Sequence, residues 1–282
     1  MNLRVLCLLL LGMTYAGGAV AASPDDSVRK DATVVPLVNA HAHNDYEHAR
    51  PLLDALDNGF CSVEADIHLV DGKLLVAHDR KDARPDRTLQ SLYLEPLRAT
   101  ARKNRGRIYP DGPVSITLLI DVKTDAAPTY SALRQVLATY KDILTEFRAD
   151  GTTPRAVTAI LSGSRPAVAE LSAESPRYAA YDGRLTDLGG GIPPSGMARV
   201  SKKRSSVSTW RGDKNVAISV DERKRVADTV AKAHQQGYRL RFWATPDTPA
   251  AWQLLRELGI DLINTDDLAG LRQFLRSGKN KP

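Results

Sequence analysis

Two short carboxylate-bearing patterns and a cluster of histidines hold most of the reactive chemistry in this 282-residue chain. Five of the six histidines fall between residues 41 and 78, and the sixth, His234, lies in a polar helical pattern. Glu64 and Asp66 are two residues apart, as are Asp121 and Lys123, and side chains at i and i+2 of a strand share one face. Two carboxylates held side by side raise one another's pKa unless a cation sits between them. A third, Asp121, brought in from a neighbouring strand makes an oxygen-rich set suited to one hard divalent cation, Mg²⁺ or Ca²⁺. Lys123 beside that set offers a point charge to an anion such as phosphate. His41 and His78, from separate segments, are then the candidate general acid and base on opposite sides of the anion.

Such a constellation needs strands to align it. Apolar runs predict strands at residues 34–40, 62–69, 114–120, 156–161, 178–181, 205–210, 239–244 and 261–264. Asp71-Gly72 turns the second of these into a hairpin partner at 73–77. Helical patterns fill 50–58, 130–147, 220–236, 248–258 and 268–277, and a glycine- and proline-rich loop at 182–196 is expected over the mouth. Alternating strands and helices argue for parallel βαβ units. With no G-x-G-x-x-G after the first strand, a single (β/α)₈ TIM barrel is favoured over a doubly wound sheet. In such a barrel functional groups belong at the C-terminal strand ends, where His41, His78, Asp121 and Lys123 fall.

Composition sets the limits. At 43 % hydrophobic and 26 % charged residues the chain can build a substantial core, which excludes disordered and fibrous classes. Its one long apolar stretch follows Arg4 and leads to Ala19-Val20-Ala21, the pattern of a cleaved signal. Residues 1–22 are therefore read as a signal peptide and 23–282 as the barrel domain, exported to a periplasm or secreted. Cys61 is then the sole thiol, so stability must come from the core rather than from a disulfide. The net charge of +6 suits anionic substrates or surfaces, and no arginine-aromatic array suggests nucleic acid.

Several motifs occur in a specific order. They are His41-Ala-His-Asn-Asp-Tyr46, Ser62-Val-Glu-Ala-Asp66, Ala77-His-Asp79, Leu118-Leu-Ile-Asp-Val-Lys123, and Arg241-Phe-Trp-Ala244 with Gly259 through Asp266. Together they resemble the phospholipase C-like phosphodiesterase superfamily, which includes glycerophosphodiester phosphodiesterases and phosphatidylinositol-specific phospholipases C. The resemblance is continuous from residue 36 to 123 and returns at 238–270. It implies that His41 and His78 are the catalytic pair, that Glu64, Asp66 and Asp121 hold the metal, and that Lys123 lies next to the phosphate. The implied substrate is a small-molecule or lipid phosphodiester, cleaved in some members through a cyclic phosphate. A lipid substrate would bring transient contact with a membrane surface. Asn44 and Trp243 are the remaining candidate substrate contacts. The opening departs from the usual His-Arg-Gly, which points to a bacterial and fungal branch. Two other readings stand beside this one. His41-x-His43 fits an amidohydrolase-type metal hydrolase, which needs histidines on later strands, where only His234 occurs. A non-catalytic exported binder of phospho-ligands would not need the whole His, Glu, Asp and Lys set.

Overall fold

Eight parallel strands and the helices between them make up residues 34–277, the part of the chain described by the computed structural model. The strands are β1 (Leu37–Ala42), β2 (Phe60–Val70), β3 (Ile116–Val122), β4 (Val157–Gly163), β5 (Ala179–Gly183), β6 (Met197–Lys203), β7 (Arg239–Trp243) and β8 (Ile263–Thr265). Each pairs in parallel with the next from β1 to β7, and β8 returns to β1 with Ala40 opposite Ile263. A single parallel bridge, Arg241 to Leu262, spans the β7–β8 seam, so the TIM-type barrel is nearly closed. Lys73–Val76 adds an antiparallel extension to β2 through the Asp71-Gly72 turn, as the sequence pattern predicts.

The helices are α1 (Leu53–Asp57), α2 (Glu95–Lys103), α3 (Ala126–Ala138), α4 (Val168–Ser172), α5 (Val220–His234), α6 (Pro249–Glu257) and α7 (Leu268–Arg276). The last three start on side-chain caps: Ser219 accepts from Glu222 N–H, Thr248 from Ala251 N–H and Asp267 from Gly270 N–H. Val226, Val230 and Ala233 give α5 its buried stripe at helical spacing.

The barrel interior changes character along its axis. Leu119, Ile160 and Ala180 form a small apolar cluster with Phe147, separate from the main core between strands and helices. Two residues further along the same strands stand Asp121, Ser162 and Asp182, on the same inward face. The lower barrel is thus filled with apolar side chains, and its C-terminal half is polar.

Three expectations are corrected. The sixth strand is Met197–Lys203, not 205–210, which holds a 3-10 turn and irregular chain. Arg199 sits within that strand, buried against Asp182, so an ion pair replaces the apolar signature there. The helix expected over 130–147 ends at Ala138, and Glu146–Arg148 forms a small hairpin with Gly151–Thr153. The 182–196 segment begins as the end of β5 rather than as a lid. Its later part is tied near the start of β7, where Gly189 N–H donates to Gln236 Oε1 and Tyr238 donates to the Ile192 carbonyl. The signal-peptide expectation for residues 1–22 lies outside the described residues. Among those described, no helix is long and apolar enough to cross a membrane. Cys61 is buried, and burial pushes its thiol up to about 12, the state of an unreactive core residue.

Candidate active site

A cavity of about 360 Å³ opens at the C-terminal ends of the strands. Of the residues singled out by sequence, Asn44, Glu64, Asp66, His78, Asp121, Lys123 and Trp243 line it. His41 lies one layer lower, fully buried at the end of β1.

β2 and β3 build the acidic corner. Glu64 and Asp66 project from β2, and Asp66 stands directly opposite Asp121 of β3 in the parallel register. One carboxylate oxygen from each of the three lies within 4.8 Å of the others. The Asp66 Oδ2 atom accepts from Tyr46 OH at 2.7 Å and faces Lys123 Nζ at 3.0 Å. Its second oxygen, Oδ1, is buried without a partner among the described residues. A buried carboxylate oxygen costs free energy in that condition, and a cation held by the three carboxylates would relieve it. The donor set, all oxygens, fits Mg²⁺ or Ca²⁺.

The electrostatics agree with that reading. Burial, then the charge of Glu64, pushes the Asp66 carboxyl up to about 7 against the pull of Lys123. Asp121 is raised for the same first reason, with Lys123 opposing. Glu64 behaves in the opposite way. Burial alone would raise it, but Arg241 and the contact with His41 hold it well below the usual carboxylate range. Lys123 loses by burial and gains more from Asp66 and Asp121, so it stays charged.

Gly163 ends β4 with φ +67, and a Cβ there would lie 2.0 Å from Asp121 Oδ1. Glycine at this position makes room for the carboxylate as well as permitting the backbone angle.

His41 is held by three groups. Its Nδ1 is 2.7 Å from Ser62 Oγ, and its Nε2 meets both Glu64 Oε2, at 3.0 Å, and Arg241 Nη1. The same Arg241 Nη1 donates to Glu64 Oε2 at 2.9 Å. Burial and the arginine charge drive the His41 pKa well below its ordinary value, so the ring is neutral. His78 differs: its side chain is 57 % exposed and its Nδ1 lies 3.4 Å from Asp79. Of the two candidate acid–base histidines, only His78 reaches the cavity, so the expected flanking pair is replaced by one at the mouth and one beneath the floor. His43 lines the cavity but is tied to Asp266 at 2.7 Å, and neither it nor His41 belongs to the carboxylate cluster.

Sequence reasoning missed the groups that brace this site. Tyr46 bonds both Asp66 and Asn44, which orients a candidate substrate contact. Buried Asp45 accepts from Leu52 N–H and Tyr93 OH, fixing the loop that follows β1. Asp182, on the far wall, accepts from Ser162, Ser201, Arg184 and Arg199. The available signal was an arginine flanked by apolar residues, at Arg199 and Arg241, because a charge buried there needs a partner.

Comparison with known proteins agrees with the motif order. Residues 28–182 match the AIM6-like phosphodiesterase domain, and residues 239–269 match the glycerophosphoryl diester phosphodiesterase family. Altered inheritance of mitochondria protein 6 from Eremothecium gossypii is 31 % identical, covering 94 % of this chain and 76 % of that protein. The homolog from Arthroderma benhamiae is 28 % identical over 86 % of this chain and 84 % of its own. The Saccharomyces cerevisiae protein is 26 % identical, over 86 % of this chain and 71 % of its own.

Proposed function

The chain belongs to the AIM6-like phosphodiesterase domain family, and from that premise we propose that it cleaves a phosphodiester with the help of one divalent cation. The observation that carries this is the unpartnered buried oxygen of Asp66, set among three carboxylates and beside Lys123 in an open cavity. A cation bound by Glu64, Asp66 and Asp121 would act as a Lewis acid and neutralise charge on the phosphate. Lys123 stays protonated and adds a donor to a phosphate oxygen. Arg241, on the floor, holds Glu64 ionised and so available for coordination.

His78, open to the cavity, is assigned to proton transfer at the substrate. His41 is the second acid–base group of this proposal; it lies beneath the floor with Nε2 against Glu64 and Arg241, so a proton passes between it and the substrate only if Arg241 moves aside. Asn44 and Trp243 contact the remainder of the substrate. The substrate class is a glycerophosphodiester or a phospholipid head group, with a substrate hydroxyl as nucleophile where a cyclic phosphate forms. Export through residues 1–22 and transient contact with a membrane surface are part of the same proposal.

The amidohydrolase-type reading loses support, since His41 is taken up by Ser62, Glu64 and Arg241 and His43 by Asp266, and neither ring belongs to the carboxylate set that could hold a metal. The test is phosphorus NMR on soluble glycerophosphodiesters and phospholipids in parallel. Appearance of a phosphomonoester or cyclic phosphate supports the proposal. An unchanged spectrum across the panel, with tight ligand binding, would instead favour the non-catalytic binder.

A further inference from the structure

The wall of the cavity that β5, β6 and β7 form carries more positive charge than its own structure needs. Asp182, fully buried below that wall, receives Arg199 Nε at 3.2 Å, and Arg199 is buried as well. That pair already balances one charge with another. Arg184 adds a second guanidinium to the same carboxylate, with Nη1 at 2.9 Å from Asp182 Oδ2, and its side chain remains 34 % exposed and lines the cavity. Nη1 is taken up by Asp182 and nearby carbonyls, and Nη2 has only Ser162 Oγ at 3.3 Å. No acceptor among the described residues takes its Nε. Arg184 is thus anchored chiefly through Nη1, and its Nε–Nη2 edge, held only by the long Ser162 contact, is offered to a ligand.

Trp243 lies on the same wall, and a cation already stands against one face of its ring. Lys203 stands directly opposite Trp243 in the β6–β7 register, with Nζ 5.3 Å from the ring centroid. A quaternary ammonium seeking that ring would meet a positive charge already on it. Of the other cations of the cavity, Lys123 sits between Asp66 and Asp121 and is assigned to the reacting phosphate, and Arg241 is paired with Glu64, so neither is placed for a second anion.

We propose that this wall selects phosphodiesters bearing a second anionic group, received by Arg184, and disfavours those with a quaternary ammonium head group. The inference rests on the phosphodiesterase reading and specifies its substrate class.

The experiment compares kcat/KM of the purified full chain, supplied with divalent cation, for glycerophosphoinositol 4-phosphate, glycerophosphoinositol and glycerophosphocholine. The phosphorylated substrate is expected to exceed its unphosphorylated counterpart at least about 10-fold, since a charged hydrogen bond is worth roughly that much. Glycerophosphocholine should be slowest. Arg184→Gln should cut the phosphorylated-to-unphosphorylated ratio about 10-fold, Arg184→Lys less, and Lys203→Met should raise glycerophosphocholine relative to the others. If either Arg184 variant fails to fold, the wild-type order still decides. Glycerophosphocholine cleaved as fast as the phosphorylated substrate, or a ratio indifferent to Arg184→Gln, overturns this inference and leaves the phosphodiesterase reading intact. Cleavage of none of the three, nor of a generic aryl phosphodiester, removes the reading and the inference together.

Discussion

Replacing Asp66 by asparagine should make the cation-free protein more stable while destroying its function. The Asp66 Oδ1 atom is buried without a partner, and an unsatisfied buried acceptor of this kind costs roughly 1–3 kcal/mol. An amide nitrogen in its place could donate to Glu64 or Asp121, whose oxygens lie within 4.8 Å. Against this stands the weakened contact with half-buried Lys123, about 1 kcal/mol, because Lys123 keeps Asp121 at 3.3 Å. The net gain at pH 8 is up to about 2 kcal/mol, a rise in Tm of up to about 8 °C for a domain of this size. The sign with pH follows from the raised carboxyl. A pKa near 7 in the folded state, against an ordinary 3.8, means that Asp66 contributes most to stability below pH 3.8. That contribution is lost as pH rises through about 7. The advantage of Asp66→Asn should therefore be largest at pH 8, smaller at pH 5, and absent only below about pH 3.8. Thermal melting followed by circular dichroism, without added cation, at the two pH values reads this directly. A variant less stable than wild type at pH 8, or an equal gain at both pH values, would refute the claim that the site stores uncompensated negative charge.

Other outcomes follow from the same geometry. His78→Asn should lower turnover about 10²–10⁴-fold with Tm nearly unchanged, since the side chain is largely exposed; a kinetic assay and a melt on one preparation test both halves. Arg241→Met should be costly to stability, by roughly 3–5 kcal/mol, because it strips the partner from buried Glu64; a denaturant titration matching wild type would contradict this. Gly163→Ala should weaken cation affinity measured by calorimetry, since the added methyl would meet Asp121 Oδ1 at 2.0 Å and the backbone has φ +67.

The barrel and its reacting groups were legible to different degrees. Glu64-x-Asp66 and Asp121-x-Lys123 could be read because strand periodicity alone places each pair on one face, and the β2–β3 register then sets Asp66 beside Asp121. β6 was misplaced because Arg199 breaks its apolar pattern, and only the long-range partner Asp182 explains an arginine inside a barrel. The same blindness hid Arg241: spacing along one strand says nothing of a guanidinium bridging His41 and Glu64 from β7. The depth of His41 was likewise invisible, because position along a strand does not reveal which residues roof it over.

The central claim is that Glu64, Asp66 and Asp121 hold a cation that the chemistry requires. Its most direct test is the rate of phosphodiester cleavage after exhaustive chelation, followed by addition of Mg²⁺ or Ca²⁺ to the same sample. The expected result is loss of cleavage and its recovery with one of the two ions, in wild type and not in Asp121→Asn. Undiminished cleavage in the chelated protein would contradict it.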